Sequence, residues 1–112
     1  MSIVDKLMDS AIADTDVLRR LDQQGDHFEV SRNVDFIFVT NSSDKAAVIR
    51  DFINDHHFGE ATLEDDPCEV RVVVYMPVTQ HVILSVSGFM SCIAELFDAE
   101  LDGWGCVAQQ AT

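Results

Sequence analysis

No lysine or arginine follows Arg71, and over the 112-residue chain seven bases stand against twenty acids, a formal net charge of −13 with histidine neutral. That shortage argues against direct binding of nucleic acid or of a membrane surface, since phosphate backbones and anionic headgroups are held by clustered Lys and Arg. Cysteine is also scarce. Cys68, Cys92 and Cys106 are odd in number, widely spaced and form no Cys-x-x-Cys pair. They read as reduced, partly buried small apolar side chains, not as a disulfide framework or zinc site. A nucleophilic thiol needs a neighbouring His or cation, and no local residue supplies one. No apolar run approaches the roughly 18 residues of a membrane span, and Met1-Ser2-Ile3-Val4-Asp5-Lys6 lacks the charged start and long apolar core of a signal peptide. A cytoplasmic protein is expected.

The signatures of catalysis are missing too. There is no Gly-rich phosphate loop, no Gly-x-Ser-x-Gly elbow, and no pair of acids placed to face each other across a cleft. The four histidines are His27, His56, His57 and His81. His56 and His57, adjacent on a helix, point about 100° apart and cannot easily chelate together. Both fall at a helix end, where imidazole complements the negative dipole, and His81 reads as a lone exposed histidine. Asp65-Asp66 and the Glu100/Asp102 pair lack the spaced oxygen ligands and glycine turn of a calcium loop. No catalytic residue, metal site or cofactor is expected, and the chain reads as a non-enzyme.

What is present is enough apolar material, 47% of residues, for a folded core. One domain over residues 1–112 is expected, with residues 1–26 as an N-terminal helical extension. Ile3, Leu7, Met8, Ala11, Ile12, Val17, Leu18 and Leu21 recur at helical spacing. Asp14-Thr15-Asp16 either caps a second helix or sits exposed in one long helix, and Gly25-Asp26 ends it. From Glu29 to Thr40 the pattern changes to alternation, with Val34, Phe36 and Phe38 on one face and Asp35, Ile37 and Val39 on the other. Ser43 is the expected N-cap of the next helix, whose inner side is Ala46, Ile49, Phe52 and Ile53, and which closes near Phe58-Gly59. A short strand over Glu60–Glu64 and a longer one over Val70–Met76 flank the Asp65-Asp66-Pro67 turn. A helix from about Gln80 to Asp98 then buries Ile83, Val86, Met90, Ile93, Ala94 and Phe97, with Gly88 suggesting a close helix contact. A last strand is expected after Trp104.

After the first helix the order is therefore β-α-β-β-α-β. This is the ferredoxin-like α+β sandwich: an antiparallel four-stranded sheet with two helices on one face. The other face would carry Asp35, Ile37, Val39, Arg71, Val73 and Tyr75. It is apolar enough to need a cover, either the N-terminal helix or a second copy of the chain, a homodimer through the open sheet face.

The end of the chain carries its most specific pattern, Ala99-Glu100-Leu101-Asp102-Gly103-Trp104-Gly105. Asp-Gly reads as a turn or strand-entry signal. The single tryptophan is either a core anchor for the last strand or, half buried, a recognition corner ringed by acids. Glu95, Asp98, Glu100 and Asp102 have no base nearby in sequence and would attract a basic protein segment.

Several of these stretches taken in order, Val17-Leu18-Arg19-Arg20-Leu21 with Gly25-Asp26, Ser31-Arg32-Asn33-Val34-Asp35-Phe36-Ile37-Phe38, Lys45-Ala46-Ala47, Phe58-Gly59 and Phe97-Asp98-Ala99-Glu100-Leu101-Asp102-Gly103-Trp104, make the chain similar to the regulator of ribonuclease activity B family. These are small acidic bacterial proteins that bind and inhibit ribonuclease E. The resemblance runs from about Asp14 to Ala108. It departs at the end, where members studied as inhibitors tend to carry a long acidic tail and this sequence reads Gln109, Gln110, Ala111 and Thr112. It implies a protein-binding regulator of RNA turnover whose partner is the basic, largely unstructured scaffold portion of ribonuclease E or another basic protein. Glu95, Asp98, Glu100 and Asp102 would attract its cations and Trp104 would anchor it through an aromatic or cation–π contact. Two other readings stand beside this: a ferredoxin-like module with a different protein partner, and a small metal- or ligand-dependent enzyme using the open sheet face and the histidines.

Overall fold

The Ser2 hydroxyl accepts a hydrogen bond from the Asp5 N–H at 3.2 Å and starts helix α1 (Ile3–Gln23). The computed structural model describes residues 2–107 and Gln109. α1 runs through Asp14-Thr15-Asp16 without a break. Thr15 satisfies its hydroxyl on the Ala11 carbonyl at 2.8 Å instead of capping a new helix. Asp14, expected either as a cap or as an exposed residue, is buried.

The remaining elements are β1 (Arg32–Val39), α2 (Ser43–Asp55), β2 (Glu60–Leu63), β3 (Glu69–Met76), α3 (Gln80–Leu96) and β4 (Glu100–Gly105). The strands form one antiparallel sheet in the order β2-β3-β1-β4, the ferredoxin-like arrangement. Val34, Phe36, Phe38, Val70 and Val72 are fully buried beneath α2 and α3, with Ala46, Ile49, Ile53, Ile83 and Met90 above them. α2 lies over β2 and β3, and α3 over β4 and β1. Gly59 is fixed by this packing, because a Cβ there would fall 2.7 Å from Val72 Cγ1 and 3.1 Å from the Val73 carbonyl oxygen. No helix among the described residues is long and apolar enough to cross a membrane.

Local details differ from the sequence reading at the ends of several elements; α2, for one, stops at Asp55, short of Phe58-Gly59. The N-cap of α2 is Ser42, not Ser43. Ser42 has the extended backbone that a cap requires, and its hydroxyl accepts from the Lys45 N–H at 3.1 Å. α3 stops at Leu96, because Asp98 takes a left-handed conformation, φ 53°, and the Asp98 and Ala99 N–H groups donate back to Glu95 and Ala94. The last strand includes Trp104 instead of following it.

α1 does not cover the open sheet face. It packs on α3 and β4 and adds Leu18 and Leu21 to the core. Leu7, Ser10 and Asp14 on its inner side meet small residues of α3: Gly88, Ser87 and Ser91. The close approach at Gly88 is real, but a Cβ there would stand 3.6 Å from Leu7 Cδ2, so alanine would also fit. The opposite sheet face keeps Ile37, Val39 and Val73 only partly buried and Tyr75 72% exposed.

A buried ion pair ties the loop after α1 to the chain after β4. Arg32 and Asp26 have side chains 3% and 0% exposed and are joined by two bonds of 2.6 and 2.9 Å. The other guanidinium donors go to the carbonyls of Val30, His27 and Val107. All five donors are thereby used, the condition under which a buried guanidinium is tolerated. Gln109 N–H adds a bond to the same carboxylate. Burial alone would raise the pKa of Asp26, but the bonds from Arg32 and Gln109 and the Arg32 charge bring it below the ordinary value.

An acidic groove between the first helix and the last strand

β4 pairs with β1 through a β-bulge. Phe38 faces Leu101 and Phe36 faces Trp104, so Asp102 and Gly103 together oppose Ile37. Strict alternation would put Leu101 and Trp104 on opposite faces. The extra residue turns both toward the helices, and Gly103 takes the φ of 100° that the bulge needs. Asp102-Gly103 is thus a bulge inside a strand, not a turn before one.

Trp104 is consequently 9% exposed. This corrects the half-exposed corner: the ring faces the core, and its indole N–H donates to Asp14 Oδ1 at 2.7 Å. Asp14 is 3% exposed. Burial pushes its carboxyl above the ordinary 3.8, opposed by hydrogen bonds from Ser87 and Trp104. Ser10 Oγ lies 3.1 Å from Ser87 Oγ and 3.5 Å from Ser91 Oγ, extending a polar seam between α1 and α3. Among the described residues no buried side-chain polar atom lacks a partner.

A groove of about 480 Å³ opens above this seam, between α1, the end of α3 and β4. Glu95, Glu100 and Asp102 line it together with Asp9 and Asp14; Ala13, Ala94, Ala99 and Leu101 supply apolar wall. Three of the four acids singled out from sequence therefore converge. Asp98 does not line the groove. Its left-handed backbone turns the side chain into solvent, near Lys45 Nζ, 3.8 Å from the carboxylate and 3.3 Å from the Asp98 carbonyl oxygen. Lys6 of α1 lines the groove and pairs with Glu95. Asp14, Ser87 and Ser91 were not foreseen as parts of this site. The available signal was that each occupies a position on an otherwise apolar or small-residue helix stripe.

The other polar groups have local explanations. His56 Nδ1 lies 2.8 Å from the Phe52 carbonyl oxygen, and its ring stacks on Phe58. His57 takes the left-handed position after α2, φ 58°. Among the described residues no group of three or more His, Cys, Asp or Glu is placed to hold a metal ion. Cys92 is exposed, whereas Cys106 is half-buried with its thiol pKa pushed up by burial.

The buried Asp14 makes a sign-definite expectation. Its folded pKa is raised, so the stability it contributes is full below about 3.8 and is lost as pH rises through the folded value. Asp14→Asn keeps an oxygen acceptor for the indole and removes the buried charge. Thermal melts should show the variant more stable than the parent at pH 7, with the gap closing toward pH 4. A variant less stable at pH 7 would contradict a charge-burial cost.

Fold and groove together define a small α+β protein with an acidic groove walled in part by apolar side chains. The sequence profile of the regulator of ribonuclease activity B family matches residues 11–106, and the chain belongs to that family. No curated protein matches it.

Proposed function

We propose that the protein regulates ribonuclease activity by occupying a basic segment of its partner, and that this partner is ribonuclease E through its basic, unstructured portion. What carries the reading is the convergence of Glu95, Glu100 and Asp102 on one groove with apolar walls. Asp98 on the adjacent helix end extends the negative field. Trp104 acts from beneath, holding β4 against α1 through Asp14 so that the acids stay in register. No catalytic step is required of the protein.

Electrostatic attraction of this kind is screened by salt. Raising ionic strength from about 50 to 500 mM shortens the Debye length about threefold. Affinity for the basic segment, followed by calorimetry, should then fall by about tenfold or more. An affinity indifferent to salt would remove the electrostatic basis of the proposal.

A second reading is supported by one observation, the exposed Tyr75 on the same open sheet face as the partly buried Ile37, Val39 and Val73. It takes the open sheet face as the contact for another protein or for a second copy of the chain.

A further inference from the structure

Among the described residues lining the groove, Lys6 is the one base, and its ammonium is already seated there against Glu95. Glu100 and Asp98 add weaker attraction from farther away. Both members of the pair are well exposed, 39% and 41%, so water screens their attraction and exchange for another cation is easy.

We propose that Lys6 is a built-in competitor: its ammonium holds the place that a Lys or Arg side chain of the partner takes, and the incoming cation displaces it from Glu95. The inference rests on the reading of the groove as the site for a basic segment and adds how that site is regulated. Charge and shape select the occupant. Ala13, Ala94, Ala99 and Leu101 accept an alkyl stem, while the acids receive its charged tip. A purely apolar occupant would desolvate those acids without pairing them, and an anionic one would be repelled. Lys6 also lowers the negative potential at this surface in the free protein, so weakly basic chains are disfavoured and only a segment that supplies its own cation gains the full contact.

The test is an NMR titration with the peptide Gly-Arg-Gly-Arg-Gly-Arg, using its citrulline counterpart as the neutral control. The Lys6 ε-methylene and the indole N–H of Trp104, the single tryptophan, report on the rim and floor. Wild-type protein should bind the arginine peptide with movement of the Lys6 signal, and the citrulline peptide should not bind. Lys6→Gln should bind the arginine peptide about two- to fivefold more tightly. Arg19→Gln removes the same charge from an exposed part of α1 and should tighten binding less. If the two variants tighten equally, or the Lys6 signal stays still while peptide binds, the competitor role is overturned and the groove reading survives. If the arginine peptide binds no better than the citrulline peptide, both are overturned.

Discussion

Truncating Trp104 to alanine should destabilise the protein by about 3–5 kcal/mol, a large part of what holds a domain of this size together. The indole fills the space between β4 and the helices, and its N–H is a hydrogen-bond donor to the buried Asp14 carboxylate. Trp104→Phe separates the two contributions. It keeps most of the apolar volume but withdraws that donor, and should still cost about 1–3 kcal/mol. Combining Trp104→Phe with Asp14→Asn should be less damaging than the sum of the two single changes, because the uncompensated buried charge is gone. Urea unfolding of the four proteins checks the cycle. A Phe variant as stable as the parent would show that the hydrogen bond contributes nothing.

The second large effect is expected at Arg32. Arg32→Met leaves Asp26 buried without its cation and removes donors from three backbone carbonyls, at a cost of about 3–5 kcal/mol. The double variant Arg32→Met with Asp26→Leu should recover a substantial part, since the stranded charge is then absent. The pH dependence is opposite to that of Asp14. The pKa of Asp26 is lowered in the folded protein, so its contribution is present above the unfolded value near 3.8 and is lost as pH falls through the folded value. The difference between parent and Arg32→Met should therefore narrow in acid, and thermal melts from pH 7 downward measure it. A constant difference would argue against the ion pair as its source.

The periodic parts of the fold were readable from residues alone. Alternation of Val34, Phe36 and Phe38 marks β1, and the spacing of Ala46, Ile49 and Ile53 marks α2, because each pattern matches one buried face. The order of elements then led to the ferredoxin-like sheet. The site was readable only in part. The bulge at Asp102-Gly103 shifts Trp104 to the opposite face from the one alternation assigns, so a residue that seemed to share a corner with the acids lies beneath them. Asp14 was hidden for a different reason: a carboxylate on an apolar stripe looks like solvent-facing helix until the donor from β4, far away in sequence, is in place. Asp26 and Arg32 were visible as parts of a family pattern, but no helical or strand periodicity relates them. Their meeting depends on the loop after α1 folding back over the start of β1.

The groove itself is tested most directly by the double variant Glu100→Gln with Asp102→Asn, compared with Tyr75→Ser on the open sheet face. Binding of each to the basic segment of ribonuclease E is measured by calorimetry, with thermal melts to confirm folding. Contact through the groove predicts a loss of about tenfold or more for the acid variant at an unchanged melting temperature, and parental affinity for Tyr75→Ser. Full affinity in the acid variant, with loss in Tyr75→Ser, would place the contact on the open sheet and contradict the groove as the binding site.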